Sequence, residues 1–227
     1  VSHDIKTPLT SIINYVNLIK LEQIDNERVN GYIRILDAKS QRLKQLTEDL
    51  VETSRITSGN VKLDMQKIDL VELIYQTAGE FNEKFEAKEL TIVTKLPKTE
   101  VMIRADGRQL YRVIENLYNN VAKYALERTR VYVYVHVLEE KVTFSIKNVS
   151  ERSLALENSN AGDWTERFIG GDASRTTEGS GLGLSIAKSL TQLMGGIFFI
   201  GVDGDLFKAS ITFPLYRETQ QENDIDE

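Results

Sequence analysis

The sequence predicts an α+β protein in which an N-terminal helical hairpin, suited to a dimeric four-helix bundle, precedes an α/β sandwich. Three observations carry this. Residues 1–58 hold two stretches whose apolar residues recur at helical spacing with no strand pattern. Residues 61–215 interleave β-branched runs with amphipathic stretches and turn signals. A glycine-rich run, Glu178–Ala187, then leads directly into an apolar helical pattern carrying Ile186, Leu190, Leu193 and Met194.

In the first stretch Ile5, Leu9, Ile12, Val16 and Ile19 alternate steps of four and three, the seam of a coiled coil or bundle. Asp25 or Asn26 suits the N-cap of the second helix. There Val29, Leu36, Leu43 and Leu50 recur every seven residues, Tyr32, Ile33, Leu46 and Val51 widen the stripe, and Ser58-Gly59-Asn60 ends it. Two helices cannot enclose a core alone. Two copies of the hairpin can, as a four-helix bundle; packing of the hairpin on its own downstream domain is the alternative.

From 61 the pattern predicts a strand over Val61–Asp69, a helix over Leu70–Lys88, and strands over Leu90–Leu96 and Val101–Arg104. A helix over Arg108–Leu126 follows the Asp106-Gly107 turn. Val131–Leu138 and Val142–Lys147 read as a hairpin about Glu139-Glu140. Glu151–Gly179 is polar, with at most a short helix near Trp164–Phe168; a stretch of this length is expected to be functional. The glycine-led helix, the Gly195-Gly196 turn and strands over Ile197–Val202 and Leu206–Phe213 close the sandwich. Residues 216–227 are expected to form a disordered acidic tail.

With 227 residues, 41% of them hydrophobic, the chain can bury one or two cores. It has no cysteine, hence no disulfide or thiolate metal site, and a net charge of −6 argues against general nucleic-acid binding. No apolar run approaches the ~20 residues that span a bilayer. Because Val1 opens inside a helical pattern, the chain is expected to be a piece of a longer protein.

Two constellations carry chemistry. His3 lies in Ser2-His3-Asp4-Ile5-Lys6-Thr7-Pro8-Leu9. On a helix Thr7 shares its face, and Asp4 can hold one ring nitrogen as N–H, leaving the other as nucleophile. Pro8 should bend the helix there. His136, the other histidine, sits in a strand, where a cross-strand role is expected. In the second constellation Asn116, Asn120 and Lys123 share one helical face. An amide oxygen is a suitable hard ligand for Mg²⁺ that already carries phosphate oxygens, and the lysine adds compensating charge. A solvated polar face would look the same. The glycines let backbone N–H groups approach a polyphosphate, with a helix N-terminus behind them, although such clusters more often mark turns.

Ser2–Ser11 resembles the phospho-acceptor box of sensor histidine kinases, Gln109–Ala125 their asparagine box and Glu178–Ala187 their second glycine box. Glu166-Arg167-Phe168 with Asp172 resembles the phenylalanine box of the nucleotide lid. The four motifs occur in the family's order over nearly the whole chain. The resemblance implies a dimerisation and histidine-phosphotransfer hairpin over 1–58 and a catalytic ATP-binding domain of the Bergerat fold over 61–215. It further implies ATP and Mg²⁺, with Asn120 as metal ligand, Asn116 as helper, and Lys123 and Tyr124 near phosphates and ribose. Phe168 in the lid and Gly179, Gly181, Leu182 and Gly183 in the loop would complete the nucleotide site. His3 would accept phosphate with Asp4 assisting, Thr7 would position a water for dephosphorylation, and the partner would be the aspartate of a response regulator. By the same resemblance this is the cytoplasmic portion of a sensor, attached to the membrane only through an upstream segment.

The chain departs from the family in two places. Where the first glycine box has an aspartate that accepts the adenine amino group, this chain has Ile146-Lys147-Asn148-Val149-Ser150, with no glycine before Gly162. Asn148 can still accept, without the charge that roughly doubles such a bond. Gly170 stands where relatives often have arginine, with Arg167 and Arg175 nearby. These departures leave a degenerate kinase, acting as scaffold or phosphatase-dominated regulator, as the alternative. A chaperone-like ATPase of the same fold does not explain the His3 helix.

Overall fold

The computed structural model describes residues 2–22, 24–57, 61–151 and 182–217, with the side chains of 2–6 and 57 outside the description. They form two compact units, one containing the hairpin and the other beginning at Lys62.

The hairpin consists of α1 (Ser2–Leu21) and α2 (Glu27–Thr57). Between them Asn26 supplies the cap: its Oδ1 accepts from the N–H groups of Arg28 and Val29, both at 3.1 Å. Leu9, Val16 and Ile33 are buried between the helices, and Lys20 Nζ meets Asp37 Oδ2 at 2.7 Å. That contact, before all else the hydrogen bond from Lys20, holds the Asp37 carboxyl below its usual range. Other seam positions face outward within a single chain: Ile12, Ile19, Leu36, Leu43 and Leu50 are all exposed.

The second unit is an α/β sandwich. Its main sheet has the order β2 (Thr91–Lys95), β4 (Arg130–Leu138), β5 (Lys141–Val149), β7 (Leu206–Pro214), β6 (Ile197–Asp203). Only the β2–β4 pair is parallel. The β4–β5 hairpin turns at Glu139, which takes a left-handed φ of 54°. Strand alternation puts Val131, Val133 and Val135 of β4, and Val142, Phe144 and Ile146 of β5, on the inner face, all buried. Against it pack α3 (Leu70–Gly79), α5 (Gly107–Tyr124) and α6 (Gly183–Leu193, from Ala187 onward). The buried positions of α5 are Leu110, Val113, Ile114, Leu117, Tyr118 and Val121, an unbroken i, i+3, i+4 stripe. Asp106 caps α5 by accepting from the Gln109 N–H at 3.1 Å.

Three expectations are corrected. The strand expected over Val61–Asp69 is β1, only Gln66–Asp69, paired with β3 (Met102–Ala105). Its partner ends at Ala105 because Asp106 turns to cap α5, and the Asp106 carboxylate also takes the Asp64 N–H at 2.9 Å, drawing that segment out of the ladder. The single helix expected over Leu70–Lys88 is two, α3 and α4 (Asn82–Ala87). Gly79 is a poor helix former, and the break lets Phe81 and Phe85 both reach the Tyr118 ring, at centroid distances of 5.4 and 5.9 Å. Tyr216 and Arg217, expected in the tail, are instead held: the Tyr216 N–H donates to Met102 O at 2.8 Å and Arg217 pairs with Glu140 at 3.2 Å, while 218–227 lie outside the described residues.

Candidate nucleotide site

The inner face of β5 continues past Ile146 to Asn148, which lies opposite Val131 on β4 and Phe207 on β7. Asn148 is 1% exposed. Its Nδ2 donates to Val149 O at 3.0 Å, and that bond fixes the amide so that Oδ1 remains the free end. Oδ1 is buried and has no hydrogen-bond partner among the described residues. Buried polar atoms are nearly always paired, so an orphan acceptor on the core face is a place for a donor.

The end of α5 is stitched to the same strand. Ala125 bridges to Ser150, the Leu126 N–H donates to Val149 O at 2.9 Å, and the Glu151 N–H donates to Tyr124 O at 2.8 Å. These bonds bring the last turn of α5, with Lys123 and Tyr124, beside the end of β5 that carries Asn148. Lys123 Nζ lies 4.9 Å from the Tyr124 ring centroid, a cation–π contact that keeps the ammonium at the helix end.

Along α5 the amide side chains divide. Asn119 accepts from Lys84 at 3.3 Å and so belongs to the packing of α4. Asn116 donates to Arg112 O at 3.0 Å, which leaves its oxygen turned away from the helix backbone. The Asn120 side chain, half-buried, makes no hydrogen bond among the described residues. Asn116, Asn120 and Lys123 fall on one face of the observed helix, beside the buried stripe. An orphan acceptor for a base amino group, amide oxygens for a hard cation and an ammonium for phosphate together fit a magnesium nucleotide.

Behind α5 lies a separate cluster. Tyr111 donates to Glu80 Oε2 at 2.7 Å, and that bond, with burial, pushes its phenol up to about 12. Burial raises the Glu115 carboxyl and, further, the Tyr118 phenol.

Of the other expected residues, His3 and Asp4 lie on the first turn of α1, with Thr7 exposed one turn on. Thr7 O accepts from Ser11 Oγ at 3.2 Å beside Pro8, which has no N–H to offer the helix. Leu182 caps α6, its carbonyl accepting from the Ile186 N–H at 2.9 Å and from Ser185 Oγ at 2.6 Å, and Gly183 is the first helical residue. Phe168, Gly179 and Gly181 lie outside the described residues, as do Gly170 and the helix expected near Trp164–Phe168. His136 is exposed on β4 opposite Thr143. Lys88 was not anticipated: its Nζ donates to Lys123 O at 3.0 Å and Ala125 O at 3.3 Å, across a separation in sequence that no local pattern reveals. Among the described residues no helix is long and apolar enough to cross a membrane.

Two family models match the chain: "His Kinase A (phospho-acceptor) domain" over residues 1–59, and "Histidine kinase-, DNA gyrase B-, and HSP90-like ATPase" over residues 105–218. Among curated proteins, the chain is 26% identical over 231 residues to the sensor histidine kinase WalK of Bacillus subtilis, covering all of this chain and 37% of WalK. It is 32% identical over 198 residues to the sensor protein VanSC of Enterococcus gallinarum, covering 86% of this chain and 54% of VanSC. The chain thus spans about a third to a half of the length of these relatives. Among solved structures, full-length ShkA in complex with AMPPNP shares the fold at a TM-score of 0.76 and 23% identity, over 94% of this chain and 44% of that one. The histidine kinase AdeS of Acinetobacter baumannii does so at 0.64 and 16%, over 96% and 100%.

Proposed function

The chain belongs to the sensor histidine kinases of two-component systems, and from that premise we propose that it phosphorylates itself on His3 from Mg·ATP and passes the phosphoryl group to an aspartate of a response regulator. The observation that carries the nucleotide half is the orphan Asn148 Oδ1, stitched beside the Lys123–Tyr124 end of α5. Asn148 Oδ1 accepts from the 6-amino group of adenine. Lys123 neutralises phosphate charge and Tyr124 meets the ribose. Asn120, helped by Asn116, would hold Mg²⁺, which would screen the charge on the phosphates. Phe168 and the loop residues Gly179, Gly181, Leu182 and Gly183 complete the site.

On α1 the free imidazole nitrogen of His3 forms a bond to the γ-phosphorus as the bond to the β–γ bridging oxygen breaks and ADP leaves. Asp4 orients the ring and takes its proton. Such transfer asks mainly for positioning and charge neutralisation, which a helix and a sandwich can supply. Thr7 orients a water for dephosphorylation of the regulator. Two copies of the hairpin cover the exposed seam of α1 and α2 as a four-helix bundle, so the unit of function is a homodimer; this is the cytoplasmic portion of a membrane-anchored sensor. AMPPNP in the related ShkA supports an ATP site on this fold. A pure scaffold would gain nothing from an unpaired buried acceptor, which favours catalysis over the degenerate reading.

The test is incubation with γ-labelled ATP and Mg²⁺, with nucleotide affinity measured in parallel. His3→Gln is expected to lose the label and keep its affinity for ATP. Parallel loss of both contradicts the assignment.

A further inference from the structure

We propose that Lys88 is a positioning residue for the phosphate end of the nucleotide site, acting through the backbone of the Lys123–Ala125 turn; the proposal rests on the role given above to Lys123 and Tyr124. The last carbonyls of a helix have no partner within it, and α5 ends at Tyr124 with an extended cap at Ala125. Three successive carbonyls there are each taken from outside the helix. Lys88 Nζ holds Lys123 O at 3.0 Å and Ala125 O at 3.3 Å, while the Glu151 N–H holds Tyr124 O at 2.8 Å. The two holders are themselves linked, with Lys88 Nζ 3.8 Å from Glu151 Oε2.

Lys88 is aimed there by its own corner. Its carbonyl accepts from the Arg128 N–H at 3.0 Å, and Arg128 Nε bonds Glu89 Oε1 at 3.1 Å. Glu89 and Arg128 both take left-handed φ values, 51° and 62°, so the α4–β2 and α5–β4 corners close on each other. A cation at a helix C-terminus is favourable in any protein. Here the carbonyls it fixes belong to the turn that carries Lys123 and Tyr124, and the other holder, Glu151, is the residue after the one bridged to Ala125. Releasing Lys88 frees the direction in which the Lys123 ammonium points, and leaves Asn148 in the sheet.

The experiment measures the dissociation constants of Mg·ATP and of adenosine for the intact chain, Lys88→Met, Lys88→Arg, Lys123→Met and Lys88→Met/Lys123→Met, with thermal melting alongside. Lys88→Met keeps the alkyl stem and is expected to weaken Mg·ATP by about five- to tenfold, the scale of one ordinary hydrogen bond because the loss is passed on indirectly, with adenosine within about twofold. Lys88→Arg restores most of the loss, and the double variant is no weaker than Lys123→Met alone, because the two residues act in series. Equal weakening of ATP and adenosine, or additive losses in the double variant, overturns the proposal in favour of a general structural cap. Should Lys88→Met not fold, Lys88→Gln, which keeps a donor, is expected to show the same selective loss, and its absence there overturns the proposal too. If the unaltered chain binds no Mg·ATP, the proposed function falls as well; if it binds and Lys88→Met binds equally well, only this proposal falls.

Discussion

Truncating Asn148 to alanine separates a nucleotide contact from a structural one, because the two predict opposite balances. The side chain is 1% exposed, and its loss removes one neutral hydrogen bond, Nδ2 to Val149 O at 3.0 Å. That bond is worth about 1 kcal/mol, and the small void adds a comparable cost. Val149 O is not left bare, since it keeps the Leu126 N–H at 2.9 Å. On the other side, Oδ1 is buried without a partner among the described residues, and removing an unsatisfied acceptor returns about 1–3 kcal/mol. Asn148→Ala should therefore leave folding stability within about 1 kcal/mol of the parent. Binding of ATP, by contrast, loses the acceptor for the 6-amino group, about 1–1.5 kcal/mol or roughly tenfold in affinity. A purine triphosphate without the amino group should bind parent and variant alike. Urea denaturation and isothermal titration read the two quantities independently. A stability loss above about 2 kcal/mol, with ATP affinity unchanged, would show that Asn148 serves the core and not the nucleotide.

Other outcomes are as specific. A Cβ at Gly196 would stand 2.6 Å from a Phe213 ring carbon and 2.9 Å from Thr191 Cγ2, both residues buried, so Gly196→Ala should cost about 1–3 kcal/mol in urea. An unchanged urea midpoint contradicts that packing. The Tyr111 phenol is held up to about 12, against ~10 when unfolded, so its contribution to stability is full below pH ~10 and is lost as pH rises through ~12. Tyr111→Phe should be less stable below that window and lack this part of the alkaline fall; parallel profiles contradict the Glu80 bond. Leu36 and Leu43 are 52% and 50% exposed in one chain, and Leu36→Glu with Leu43→Glu should convert dimer to monomer by light scattering. An unaltered mass removes the bundle.

Much of this architecture was legible because local signals agreed with the tertiary result. The seven-residue spacing of α2, the cap at Asn26 and the alternation of β4 and β5 each follow from side chains within a few positions of one another. The break between α3 and α4 was only partly legible: Gly79 marks a weak point in the helix, but the Tyr118 ring that Phe81 and Phe85 reach across the break is distant in sequence. The short β1 has the same kind of origin: Asp106, far along the chain, takes the Asp64 N–H. At the site, the shared face of Asn116, Asn120 and Lys123 could be read from helix geometry alone. That Asn148 would be an orphan acceptor, and that Lys88 would hold the end of α5, required the strand register and the corner contacts.

Locating the phosphoryl group after incubation with Mg·ATP separates a histidine kinase from every other reading of this chain. Tryptic cleavage after Lys6, under mildly alkaline conditions that preserve a phosphorus–nitrogen bond, followed by mass spectrometry, reads the site. An acid-labile phosphate is expected in the peptide ending at Lys6, on His3. An acid-stable phosphate on a hydroxyl residue, or a chain that binds ATP and carries no phosphate, would contradict the kinase reading.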